Sequence, residues 1–96
     1  MINKKQDIAV LLIIFNRPDT TSHVFERIRQ AKPKKLFIAA DGPRPGRDGE
    51  AALCQQARSV VDLIDWECEL HTLFHDENLG CKRGPSTAID WFFQHV

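Results

Sequence analysis

Eight consecutive apolar residues, Ile8-Ala-Val-Leu-Leu-Ile-Ile-Phe15, run into Asn16-Arg17-Pro18. No polar position alternates within the run, so it offers no face to water. A stretch this short and this rich in Ile, Val and Leu reads as a strand covered on both faces, the setting of a parallel sheet. A membrane-spanning helix needs about 20 apolar residues, which excludes a span here. A secretory leader is disfavoured too. Lys4 and Lys5 suit its charged start, but Asp7 intervenes and Asn-Arg-Pro stands where small cleavage-site residues belong.

The rest of the chain alternates between two periodicities. Asp19, Thr20 or Thr21 can cap a helix in which Val24, Phe25, Ile28 and Ala31 share one face, and Lys32-Pro33 ends it. Leu36-Phe-Ile-Ala-Ala40 is a second apolar strand. It runs into Asp41-Gly42 and a loop to Gly49 that holds three of the five glycines. Leu53, Ala57, Val60, Val61 and Ile64 mark a second helix, from Glu50 to about Asp65. Cys68 to Phe74 is a weaker strand, and His71 and Thr72 suit it to a sheet edge. Ile89, Phe92, Phe93 and Val96 mark a third helix, with Pro85 near its first turn and Lys82-Arg83 just before it. The order βαβαβα predicts an α/β fold with a parallel sheet and right-handed crossovers. Three strands and three helices make half of a doubly wound, Rossmann-like domain. The expectation is a piece of a larger enzyme, or a chain that completes its sheet with a partner in an oligomer.

The composition narrows the class. The 96 residues suit one small domain or part of one. With 43 % hydrophobic and 27 % charged residues, the balance is that of a globular chain and argues against a disordered tail. A net charge of zero argues against a basic nucleic-acid module. The charge is unevenly spread, however. Residues 1–47 hold ten Lys/Arg against four Asp/Glu, and residues 48–96 hold three against nine. The basic half could attract an anionic ligand. Cys54, Cys68 and Cys81 are odd in number and lack metal-ligand spacing, so they read as reduced thiols.

Open α/β sheets bind ligands beyond the carboxyl ends of their strands. Those ends are polar here: Asn16-Arg17, Asp41-Gly42, and His75-Asp76-Glu77-Asn78. Arg17 offers a donor fork suited to phosphate, or is a surface arginine before a turn. Asp41 can accept from a ligand N–H or hydroxyl, or serve the Asp-Gly turn. Lys82 and Arg83 can attract phosphate to a helix start, or be solvated side chains. His71 and His75 suggest a metal pair, but on a strand they lie about 13 Å apart, too far for one ion. Trp91, Phe92 and Phe93 read as helix packing. A GxGxxG fingerprint does not follow the first strand, no GxxxxGK[ST] loop occurs, and no GxSxG elbow is present. No serine, cysteine or histidine stands in a nucleophile arrangement.

The opening Ile8 to Asp19, with its Asn-Arg-Pro turn, resembles nucleotide-diphospho-sugar transferases, especially family 2 glycosyltransferases of the GT-A fold. Asp41-Gly42 resembles their Asp-Asp-Gly strand end, although Ala40 replaces the first Asp. Asn78-Leu-Gly80 resembles their Asn-x-Gly motif. The resemblance covers about Ile8 to Val96. It implies that residues 1–96 are the N-terminal nucleotide-binding part of a cytoplasmic glycosyltransferase, one half of a GT-A three-layer sheet. The donor would be a nucleotide-sugar, UDP-type favoured, and the acceptor a glycan or other molecule the sequence does not name. Asp41 would accept from the uracil N3–H. Phe15, Asn16 and Arg17 would line the nucleotide pocket, with Arg17 near the pyrophosphate, and Lys82 and Arg83 would help neutralise it. The resemblance also implies a Mn or Mg ion, with ligands beyond residue 96, because no Asp-x-Asp occurs in this sequence. The metal normally stabilises the departing diphosphate. The rival readings are another nucleotide-binding transferase and a non-enzymatic α/β interaction domain.

Overall fold

The computed structural model describes residues 8–96; Lys4 and Lys5, which suit a leader's charged start, and Asp7, which argued against one, lie outside them. The elements are β1 (Ala9–Ile14), α1 (Pro18–Ala31), β2 (Lys35–Ala40), α2 (Glu50–Arg58), β3 (Glu69–Phe74) and α3 (Gly80–His95). A 3-10 turn, Ser59–Leu63, extends α2. The strands form one parallel sheet in the order β1-β2-β3, with Leu12 level with Ile38 and Ile38 level with Thr72. The chain is therefore α/β, with the arrangement of a Rossmann-like half.

Strand alternation splits the core between two faces. Leu12, Ile14, Leu36, Ile38 and Ala40 meet Phe25 of α1 and Ala57 and Val60 beside them. Phe37, fully buried, points the other way. Its ring takes Trp91 and Phe92 of α3 edge-on, with centroids 5.3 and 5.1 Å away. Burying such a ring contributes about 1.5–3 kcal/mol. Thus α1 and α2 cover one face, and α3 covers the other over β1 and β2. Successive right-handed crossovers along β1-β2-β3 keep α1 and α2 together, and α3 returns over the opposite face. A crevice opens beside α3 at the C-terminal ends of the strands, where ligands of such sheets sit.

Sequence pattern and structure part at several points. β1, the most apolar strand, lies at one edge with Ile13 42 % exposed, so it is not covered on both faces. The central place belongs to β2, where Leu36, Phe37 and Ile38 are fully buried. β3 takes the other edge, as His71 and Thr72 suggested. Neither Asp19, Thr20 nor Thr21 caps α1. Arg17 stands at the N-cap without a side-chain bond, Pro18 begins the helix, and Thr21 N–H reaches the Arg17 carbonyl at 2.9 Å. Proline's fixed φ and missing N–H make it suited to that first position. Lys32 turns left-handed (φ 49°) and ends α1 by donating to the Ile28 carbonyl at 3.0 Å. The second helix does not stay α-helical to Asp65. It tightens at Ser59, whose hydroxyl donates to the Gln56 carbonyl at 2.5 Å. The third helix starts earlier than its local signals imply. Lys82 and Arg83 lie inside α3, and Pro85 falls in its second turn. Among the described residues, no helix is long and apolar enough to cross a membrane.

Candidate functional site

A cavity of about 430 Å³ opens between the C-terminal ends of the strands and the first turns of α3. That is within the range of about 300–1,000 Å³ for small-molecule sites. Ala39 lies on its floor, a small side chain that leaves room over the sheet, beside the Ala40 end of β2. Ile13 and Phe15 of β1 and its turn form one wall, and Gly80, Gly84 and Pro85 of α3 form the other. Asp41, Arg44, His75 and Asn78 supply its polar groups.

Asp41 is the most heavily engaged of these. Oδ1 accepts from the backbone N–H of Gly42 at 2.9 Å and of Leu79 at 2.7 Å. Oδ2 accepts from Gly80 N–H and from Asn78 Nδ2, each at 3.2 Å. Asn78 Nδ2 also donates to the Gly42 carbonyl at 2.9 Å. The carboxylate therefore caps α3 from outside that helix, satisfying N–H groups that no local side chain reaches. This distant cap explains why α3 begins at Gly80. Two carboxylate oxygens carry about four acceptor sites. Four donors occupy them, so a ligand N–H would replace one of the four. The fit is close on both sides. A Cβ on Gly42 would lie 2.6 Å from the Glu77 backbone, and one on Gly84 3.1 Å from Asp41 Oδ2.

A second network holds the loop after β2. The Glu50 side chain, 6 % exposed, accepts from Arg44 Nε at 3.1 Å, Arg44 Nη2 at 2.5 Å and the Arg44 backbone N–H at 2.7 Å. Asn16 Nδ2 adds a bond at 3.0 Å. The Arg44 guanidinium holds the Glu50 carboxyl down at about 2, against the desolvation that burial imposes. Arg44 also lies 5.7 Å over the Phe15 ring. The network joins the end of β1 to the start of α2.

Arg58 joins the other two strand ends. Its Nη2 donates to the carbonyls of Asp41 at 3.1 Å and His75 at 2.6 Å, and its guanidinium lies 5.0 Å over Phe74. Arg58 Nε and His75 Nε2 are buried without hydrogen-bond partners among the described residues.

The sequence-derived candidates separate. Phe15 and Asp41 line the cavity. Asn16 supports it through Glu50. Arg17 is exposed and lines a smaller cavity, about 250 Å³, between β1 and α1 with Thr20 and Thr21. Lys82 and Arg83 are exposed and belong to neither cavity lining. His71 stacks on Phe37 at 4.6 Å and bonds Glu69 at 2.6 Å, apart from His75. Arg44, Glu50 and Arg58 were missed. Each acts through partners at least six residues away, and no local pattern marks that. The Pro-Arg-Pro-Gly-Arg loop after a strand end was the one available signal for Arg44.

Among the described residues, no group of three or more His, Cys, Asp or Glu side chains could hold a metal. Asp41 is the one carboxylate lining the cavity, and its oxygens are taken by the α3 cap. These residues do not fit a divalent ion. The three thiols are unpaired: Cys54 buried, Cys68 partly so, and Cys81 exposed at the cavity. Burial pushes the Cys54 and Cys68 thiols up. Compared with protein-family models, curated proteins and solved structures, the chain matches none.

Proposed function

We propose that the cavity binds the nucleoside diphosphate part of a nucleotide-sugar, and that the protein belongs to a glycosyltransferase of GT-A topology. One observation carries this reading. The cavity lies at the C-terminal ends of parallel strands, and glycines on α3 clear one wall for close approach. Phe15 lines the wall the nucleotide would meet, with the Arg44 guanidinium over its ring. Asp41 offers an acceptor to an imide N–H in exchange for one cap donor. Asn78 Nδ2 is the donor to yield, since it sits at 3.2 Å and keeps its Gly42 carbonyl bond when displaced. A uracil fits that exchange, because its N3 carries a hydrogen; a cytosine N3 does not. The donor sugar and the acceptor belong to parts of the enzyme outside this cavity. So do the ligands of any Mn or Mg ion, which would stabilise charge on a departing diphosphate.

Titrating uridine diphosphate and cytidine diphosphate into the protein tests the reading. Uridine diphosphate should bind more tightly, and Asp41→Asn should remove most of that preference. Equal affinities in the wild type would dismiss Asp41 as the base contact. No affinity for either nucleotide would dismiss the nucleotide reading.

A second reading rests on a different feature. Among the described residues β1 is an edge strand, with Ile8 before it and Ile13 within it exposed and Phe93 of α3 69 % exposed. An unpaired apolar edge is a template for another strand. A sheet completed by a second copy would appear as a dimer in light scattering; a monomer at all concentrations would dismiss it.

A further inference from the structure

Among the described residues, Arg44 is the one Lys or Arg side chain lining the cavity. The basic residues that the chain's local pattern offers for an anion, Lys82 and Arg83, point elsewhere. We infer that Arg44 is the residue that meets the ligand's phosphate groups, with Glu50 as the positioning residue that aims it. The inference rests on the nucleoside diphosphate reading above.

The geometry divides the guanidinium into two parts. Nε and Nη2 are spent on Glu50, at 3.1 and 2.5 Å. Nη1 has no hydrogen-bond partner among the described residues, although an arginine side chain carries five N–H donors in a fixed fork. Glu50 itself cannot drift. It is almost wholly buried, begins α2, and takes further bonds from Asn16 Nδ2 and the Arg44 backbone N–H. Phe15 covers one face of the guanidinium at 5.7 Å. A long side chain fixed by a buried carboxylate and an aromatic ring has lost its rotamer freedom before the ligand arrives. Its remaining N–H groups suit phosphate oxygens, with which arginine forms short, charge-assisted bonds. The base would then lie toward Asp41 and Asn78, with the diphosphate beside Arg44.

Comparing uridine with uridine diphosphate isolates the phosphate contact. Wild-type protein should bind the diphosphate more tightly than the nucleoside. Arg44→Gln should weaken the diphosphate about 10- to 100-fold and leave uridine within a factor of about two. Arg44→Gln also leaves Glu50 unpaired, so the double variant Arg44→Gln/Glu50→Gln removes both charges and keeps the test valid if the single variant unfolds. Arg44→Lys should recover only part of the loss, because an ammonium lacks the fork. Equal weakening of uridine and uridine diphosphate would show Arg44 acting on the base or the fold, and would overturn the assignment. Unchanged diphosphate affinity in Arg44→Gln would overturn it while leaving the nucleotide reading intact. A wild type that binds neither ligand would overturn both.

Discussion

Asp41 Oδ1 accepts the backbone N–H of Leu79 at 2.7 Å across 38 residues of chain. The residue that ends β2 thereby begins α3. The same carboxylate borders the cavity, so the helix wall and the cavity's acidic group are set by one side chain. Disturbing Asp41 changes both at once, and affinity measurements on Asp41 variants need a stability measurement beside them.

Asp41→Ala should lower stability by about 1–3 kcal/mol, because it orphans several N–H groups at a helix start. Asp41→Asn should cost less, since its one remaining amide oxygen can still take two of the donors. Urea unfolding of the protein measures both. A loss below about 0.5 kcal/mol in Asp41→Ala would refute the cap.

Glu50 sets an acid limit. Its carboxyl titrates at about 2 in the folded protein, below the ordinary 4.5, because Arg44 bonds the charged form. The unfolded chain therefore takes up that proton first as pH falls. The stabilisation is whole above about pH 4.5 and is lost as pH falls toward 2. The stability gap between wild type and Glu50→Gln should stay constant from pH 5 to 8 and narrow below 4.5. A gap that widens on acidification would contradict the assigned geometry.

Gly42 and Gly46 should fail differently. Gly42→Ala forces a Cβ to 2.6 Å from the Glu77 backbone, and should cost about 1–3 kcal/mol or displace the 76–80 segment. At Gly46 the space is open, but φ is +73°, so Gly46→Ala carries only the left-handed penalty of about 1–2 kcal/mol. Chemical denaturation ranks them. Loss of ligand affinity in Gly42→Ala alone would place the 76–80 segment in the binding site.

The thiols should react in order of exposure. Cys81 is exposed, whereas Cys54 is buried and its thiol is pushed up by that burial. A thiol-specific reagent in native buffer should modify Cys81 first and Cys54 only on unfolding, as peptide mapping would show. Early modification of Cys54 would mean that α2 opens readily.

Phe37 joins β2 to α3. Phe37→Ala should cost about 3–5 kcal/mol, the range for a fully buried ring. Thermal unfolding measures it. A cost below about 1.5 kcal/mol would mean that α3 contributes little to the core.

The residues by themselves determined the alternation of strands and helices. Ile8–Phe15 and Leu36–Ala40 have no polar face, and the spacing of Leu53, Ala57 and Val60 has only one apolar face. Such periodicities are local, so no fold is needed to read them. Strand ends are equally local, and Phe15 and Asp41 were found at the cavity for that reason. Three things required the tertiary structure. Which apolar strand takes the centre depends on pairing: β2 gains two neighbours, and β1, though more apolar, gains one. Where α3 starts depends on a cap from Asp41, invisible in the residues around Gly80. Which cation faces the cavity depends on Glu50 holding Arg44 inward, while Lys82 and Arg83, close to the same helix start, turn to solvent. Each of these is a contact between residues far apart in sequence, and only the folded chain brings their partners within hydrogen-bonding reach.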